Sequence, residues 1–258
     1  MKLLNKFLAV LEAELKAYVR EAGPLVFMSS FPFFFSSITF SVGSVLSEGK
    51  ATPQDWFYQL IGFSVMTISI TMTSASAWYF RRGILTGRLE YLMAAPVNPI
   101  NTVMAASLAH VIVGLLSFMV VGFIGVIIVY GVARLVNLTA ALLLIFLALL
   151  PVIGINLIVG TLTIIFKEPE PVSGTVNAVI AATSGFVYPI TLLPAVLQLI
   201  GQTLPYFHVV EAARSMITHH VGAAQLTNIL LLMTYLAFGL TVYRLGENHY
   251  ARKVGIHQ

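Results

Sequence analysis

The sequence contains no cysteine, and only 9% of its 258 residues are Asp, Glu, Lys or Arg. The first absence excludes disulfides, thiolate metal sites and a cysteine nucleophile. The second excludes an ordinary water-soluble domain, in which about a quarter of the residues are charged. A phosphate loop of the form GxxxxGK followed by Ser or Thr is also missing, so the chain has no such means of binding and hydrolysing ATP. What remains is apolar: 58% of residues are hydrophobic and mean hydropathy is +0.92. Runs of about 20 such residues match a bilayer crossed as a helix. The composition predicts an all-α integral membrane protein, a single transmembrane domain over residues 1–258, with no separate soluble domain.

Six membrane helices are expected: Gly23–Leu46, Trp56–Phe80, Asn101–Tyr130, Leu135–Phe166, Val172–Ile190 and Thr227–Tyr243. The fourth is long enough to tilt, or to kink at Pro151. An even number of spans puts both termini on one side. That side holds eleven cations: Lys2, Lys6, Lys16, Arg20, Arg81, Arg82, Arg88, Lys167, Arg244, Arg252 and Lys253. The other side keeps three, Lys50, Arg134 and Arg214. Lysine and arginine beside span ends set orientation, so the termini are expected in the cytoplasm. The net charge of +4 is thereby read as membrane orientation, with no nucleic-acid partner.

Two segments do not read as spans. In residues 3–20, Leu3, Leu4, Phe7, Leu8, Leu11, Leu15, Tyr18 and Val19 share one helical face. Lys2, Asn5, Lys6, Lys16 and Arg20 lie opposite, the pattern of a helix at the membrane interface over residues 1–22. A signal peptide is the competing reading, but Glu12 and Glu14 interrupt its apolar core. The second segment is 191–220, where "TLLPAVLQLIGQTLP" is too short to span and is bracketed by prolines, and "YFHVVEAARSMITHH" follows as a short amphipathic piece. A re-entrant helical hairpin on the outer side accounts for both; a loop resting on the surface is the alternative.

Candidate chemistry is sparse. His110 is the one clear ionisable residue within a span, where a hydrogen bond between helices is the simpler reading and a working group the alternative. Ser64, in "GFSVM", lacks the closing glycine of a nucleophile elbow and has no assignable base. His208, Glu211 and Arg214, followed by His219 and His220, could form a metal site but read more simply as an exposed ion pair with loop histidines. Ser64, Thr67, Ser69, Thr71, Thr73, Ser74 and Ser76 spread around the second span, which favours helix packing over a polar path.

Between spans two and three, Leu85, Leu89, Leu92, Met93 and Pro96 share one side of a short helix, and Pro96 and Pro99 stop it from running into span three. The run "RRGILTGRLEYLMAAPVNP" over 81–99 resembles the cytoplasmic segment of ABC-2-type transporter permeases, whose pattern is G-x-L-E-x-L with a proline a few residues on. Gly87, Leu89, Glu90, Leu92 and Pro96 match it, while Arg82 stands where the family often has an acidic residue. The stretch "GFVYPITLLPAVLQLIGQTLPYFHVVEAAR" is similar to that family's second hallmark: an aromatic–Pro pair at Pro189, a Leu-Pro hairpin at Pro194, and Pro205 nine residues before Arg214.

The resemblance implies a translocation subunit, not an enzyme, working with a second permease copy (a homo- or heterodimer) in the cell membrane. A separate ATPase subunit would carry ATP and Mg, and this chain would bind no cofactor or metal. Arg81, Arg82, Gly87, Arg88, Leu89, Glu90, Leu92 and Pro96 would form the coupling helix that meets the ATPase. The hairpin with Pro189, Pro194, Pro205, Glu211 and Arg214 would gate the exit, and export is the implied direction. "EAA" at 211–213 resembles the coupling loop of ABC importers, but Ile217 stands where that motif has glycine. The rival expectations are a stand-alone intramembrane enzyme or ion-coupled carrier using His110 or Glu211 and Arg214, and a membrane scaffold.

Overall fold

The computed structural model describes residues 2–20, 22–87, 99–218 and 223–254. Among them every regular element is helical. The helices are α1 (Lys2–Arg20), α2 (Ala22–Leu46), α3 (Pro53–Leu85), α4 (Pro99–Tyr130), α5 (Leu135–Leu149), α6 (Val152–Phe166), α7 (Pro169–Thr183), α8 (Ala195–Thr203), α9 (Pro205–Thr218) and α10 (Ala223–Val254). Single 3-10 turns cover Val132–Arg134 and Ile190–Leu192.

α3 is the axis of the bundle. It begins where the Asp55 carboxylate accepts both the backbone N–H and the Oγ1–H of Thr52, each at 2.8 Å, with Pro53 fixing the first turn. Its 33 residues extend for roughly 50 Å, and Phe57, Leu60, Ile68, Met72, Ala77 and Phe80 are buried along it. Such length makes its two termini useful landmarks, the Lys50 end and the Arg82 end. Tyr130 packs on Phe57, and Tyr243 on Phe80, with ring centres 5.5 and 5.6 Å apart. Arg134 therefore shares the Lys50 end, while Arg244 shares the end that carries Arg81 and Arg82.

Most hydroxyls of α3 are spent on the helix itself. Ser64, Thr67, Ser69 and Thr71 each donate to the carbonyl four residues back, at 2.7–2.8 Å. That satisfies them without water and keeps the helix surface narrow. Thr73 Oγ1 bonds the Ser69 carbonyl likewise (2.9 Å) and also reaches Asn156 Oδ1 across helices (3.2 Å), and Asn177 Nδ2 donates to Ser74 Oγ (2.9 Å). Ser64 bonds the Leu60 carbonyl, which fits packing and supplies no activated nucleophile.

Backbone approach fixes α6 against α10. A Cβ at Gly154 would stand 2.1 Å from the Tyr235 carbonyl, and one at Gly239 the same distance from the Gly154 carbonyl. Only glycine permits that contact. α2 instead leans on α3 through Phe31, Phe35 and Phe63, and through Trp56 Nε1 donating to Ser37 Oγ (3.2 Å). It leaves Phe27, Phe34, Ile38 and Val42 exposed.

Among the described residues four segments are long and apolar enough to cross a membrane: Leu25–Leu46, Pro53–Leu85, Ile100–Tyr130 and Val132–Phe166. In the last, α5 gives way to α6 at Leu150 and Pro151, both of which keep right-handed helical backbone angles. The expected fifth span, Val172–Ile190, differs: α7 stops at Thr183 after 15 residues, about 22 Å. Gly185 takes φ +67° there, and the Pro189 ring follows, so the helix cannot continue. The expected sixth, Thr227–Tyr243, lies inside α10, which has 32 residues.

Candidate functional site

At the Lys50 end, the described part of the expected hairpin, residues 191–218, folds largely as two short helices. α8 is held by Gln198 Nε2 donating to the Leu193 carbonyl (2.7 Å), and it lies so close to α7 that a Cβ at Gly201 would be 2.0 Å from the Thr183 carbonyl. α8 leaves Val196 and Leu199 exposed, whereas α9 buries Tyr206, Val209, Val210 and Ala213. Pro205 is buried at the elbow; Pro189 and Pro194 are exposed. His208 Nε2–H donates to the Gln202 carbonyl (2.9 Å), and the Tyr235 hydroxyl of α10 donates to the carbonyl of Thr203.

Arg214 ties these parts together. Its Nη1 donates to the Gly185 carbonyl (2.8 Å), and its Nη2 to the Phe186 carbonyl (2.5 Å). Nε and Nη2 both donate to the Tyr58 carbonyl at 3.3 Å, and the guanidinium lies 3.4 Å from the centre of the Tyr58 ring. A buried guanidinium is tolerated when its donors are matched in this way. Gly62 makes room, since a Cβ there would lie 1.6 Å from the Phe186 carbonyl. The expectation of an exposed Glu211–Arg214 ion pair is corrected: the two sit 3.3 Å apart, but the Arg214 side chain is 5% exposed and that of Glu211 49%. The carbonyls, invisible in a sequence, outweigh the carboxylate. Among the described residues no group of three or more His, Asp or Glu could hold a metal; His219 and His220 lie outside them.

At the Arg82 end, α3 closes through Thr86, whose N–H and Oγ1 both bond the Arg82 carbonyl (3.0 and 2.8 Å). Gly87 then turns the chain with φ +69°, a left-handed conformation that favours glycine. Arg81 is partly buried and Arg82 exposed. Arg88, Leu89, Glu90, Leu92 and Pro96 lie outside the described residues.

α1 docks beside this turn. Leu15 and Tyr18 pack on the core, while Leu4, Leu8 and Val19 stay exposed, so the apolar face is divided between bundle and surroundings. Tyr18 meets the edge of His110 on α4 with ring centres 5.3 Å apart. His110 Nδ1–H donates to the Ala106 carbonyl of its own helix (2.7 Å), not to another helix as the sequence suggested. Burial pushes the Tyr18 hydroxyl up to about 12; Glu14 adds to the rise and Arg82 opposes it. Glu14, Tyr18, Arg82 and His110 thus share one neighbourhood, joining α1, α3 and α4. Farther along α1, Glu12 accepts from Lys16 at 2.6 Å, and that bond and charge hold its carboxyl below the ordinary value.

The architecture defines a multi-pass helical membrane protein with a latched helical hairpin at one end and a cationic, glycine-turned helix end at the other. The family model described as ABC-2 type transporter matches residues 5–218, from α1 through α9, and the chain belongs to that family as an ABC transporter permease subunit. No curated protein matches the chain.

Proposed function

We propose that the chain is the membrane half of an ATP-driven exporter of the cell membrane, paired with a second permease and coupled to a separate ATPase subunit that holds ATP and Mg. Both termini and the Arg82 end face the cytoplasm in this reading, and the Lys50 end faces outward. α7 with the segment after it, and α10, act as the fifth and sixth spans. The family match over residues 5–218 carries the proposal. It is supported by the shared position of α1 and the end of α3, since an ATPase pressing on either would move both. Arg81, Arg82, Gly87 and the 88–96 segment form the contact, with Glu90 as its polar centre.

ATP-driven closure of the ATPase pair would push this end and tilt α3, whose far end carries Tyr58 and Gly62. The hairpin α8–α9 is fastened there by Arg214, so it would move with α3 as an exit gate. His110 and Arg214 serve packing in this account and perform no chemistry. Reconstitution of the permease with its ATPase tests the proposal: Glu90→Ala should sharply reduce ATP hydrolysis stimulated by the permease while leaving the complex folded. Unchanged stimulation would remove Glu90 from the coupling contact.

A further inference from the structure

The Lys50 end carries a cavity that the coupling account does not use. It measures about 540 Å³ and lies between the end of α2, the 47–52 turn, the start of α3, and the segment that follows Phe186. Its apolar wall includes Phe40 and Val187, and Tyr188 stands at its margin, 50% exposed. Two opposite charges line it, Lys50 and Asp55. They make no ion pair with each other, and Lys50 makes none with any described residue. Asp55 uses Oδ2 for both bonds from Thr52, leaving Oδ1 without a hydrogen-bond donor among the described residues.

We propose that this cavity binds a zwitterionic amphiphile of the phosphoethanolamine type. Lys50 meets the phosphate, Asp55 Oδ1 meets the ammonium, and the first part of the acyl chain lies against Phe40 and Val187. The volume is that of a small-molecule site. The α2–α3 turn joins two membrane-crossing segments, so the cavity opens where lipid headgroups lie. Separated charges of both signs favour a ligand carrying both over a purely anionic one, which Asp55 would repel. Tyr58 lines the cavity and also stacks on Arg214, while Val187 and Tyr188 directly follow the Phe186 carbonyl that Arg214 holds. Occupancy therefore braces the wall against which the hairpin is fastened. The inference rests on membrane placement alone, and it stands or falls separately from ATPase coupling.

The test uses the purified full-length chain in maltoside detergent without any ATPase, with bound lipid counted by native mass spectrometry. Palmitoyl-oleoyl phosphatidylethanolamine, the matching phosphatidylglycerol and the matching diacylglycerol are added in turn. The wild type should favour the ethanolamine lipid over phosphatidylglycerol by roughly tenfold. Asp55→Asn should equalise those two, and Lys50→Gln should weaken both while leaving the ethanolamine lipid, which keeps its Asp55 contact, ahead of phosphatidylglycerol. Equal or stronger binding of phosphatidylglycerol by the wild type would overturn the proposal. So would wild-type discrimination in Asp55→Asn, or undiminished binding of both lipids in Lys50→Gln, each variant retaining the wild-type Tm. A second arm identifies the source of the ligand. In proteoliposomes with the ATPase, ATP-dependent movement of a fluorescent ethanolamine lipid marks a transported amphiphile, and binding without movement marks a resident membrane lipid.

Discussion

Arg214 and Tyr58 are 156 residues apart in the chain, yet the guanidinium of one lies 3.4 Å from the ring centre of the other and donates twice to its carbonyl. The pair fastens the α8–α9 hairpin to the end of α3 opposite Arg82. Whatever displaces α3 along its axis reaches the hairpin through this contact, because the same guanidinium also holds Gly185 and Phe186.

Replacing that cation should therefore be costly. Arg214→Ala leaves the buried Gly185 and Phe186 carbonyls without this donor and removes the cation from the Tyr58 ring, and the loss should be on the order of 3 kcal/mol. Arg214→Lys should recover only part of it, since an ammonium cannot serve the same fork of acceptors. Thermal unfolding in detergent, followed by circular dichroism, should rank the proteins wild type, Lys, Ala. Equal Tm values for wild type and Ala would remove the clasp from the stability of the bundle.

Gly62 tests the same contact from the α3 side. Gly62→Ala places a methyl group against the Phe186 carbonyl and should destabilise the fold about as much as a core overpacking, ~1–3 kcal/mol, read as a lowered Tm. Gly43→Ala is its control: nothing lies within 4 Å of that Cβ. In a helix interior it should be neutral or stabilising by up to about 1 kcal/mol. A milder effect at Gly62 than at Gly43 would contradict the packing.

Much of this was legible beforehand, and the failures have physical causes. Length and hydropathy identified α2, α3, α4 and the α5–α6 pair because a membrane helix needs only a long apolar run. The prolines at 189, 194 and 205 marked the hairpin, because each blocks helix continuation. The early end of α7 was hidden, since "AATSGFVYPI" is as apolar as a span and its break depends on the conformation of Gly185. Arg214 looked like half of a surface pair because Glu211 is its neighbour in sequence, whereas its strongest partners are carbonyls brought in from α3 and from the turn after α7. His110 was visible as an oddity, but its contact with Tyr18 was not, as nothing in either segment specifies how α1 docks.

Docking of α1 should depend on pH in one direction only. The Tyr18 hydroxyl is raised from 10.0 to about 12, so the docked state holds its proton more tightly than the free helix. That contribution is complete below pH 10 and disappears as pH rises through about 12. Hydrogen exchange of α1 should be flat from pH 6 to 9 after correction for intrinsic rates, and accelerate above 10. Tyr18→Phe should abolish the alkaline acceleration. Persistence of the acceleration in that variant would assign it to another group.

The absence of cysteine makes the topology directly accessible. In intact cells, Gln202→Cys should react with an impermeant maleimide from outside, and Arg82→Cys only after lysis. The opposite pattern would invert the bundle.

The central claim is that an ATPase subunit meets the Arg82 end. Its most direct measurement needs no knowledge of the substrate: a photoreactive benzoylphenylalanine is placed at position 82, 90 or 188, and the complex is irradiated in membranes containing the ATPase. The account predicts ATPase adducts from positions 82 and 90 and none from 188. Adducts from 188, or none from 82 and 90 in a complex that still copurifies, would contradict it.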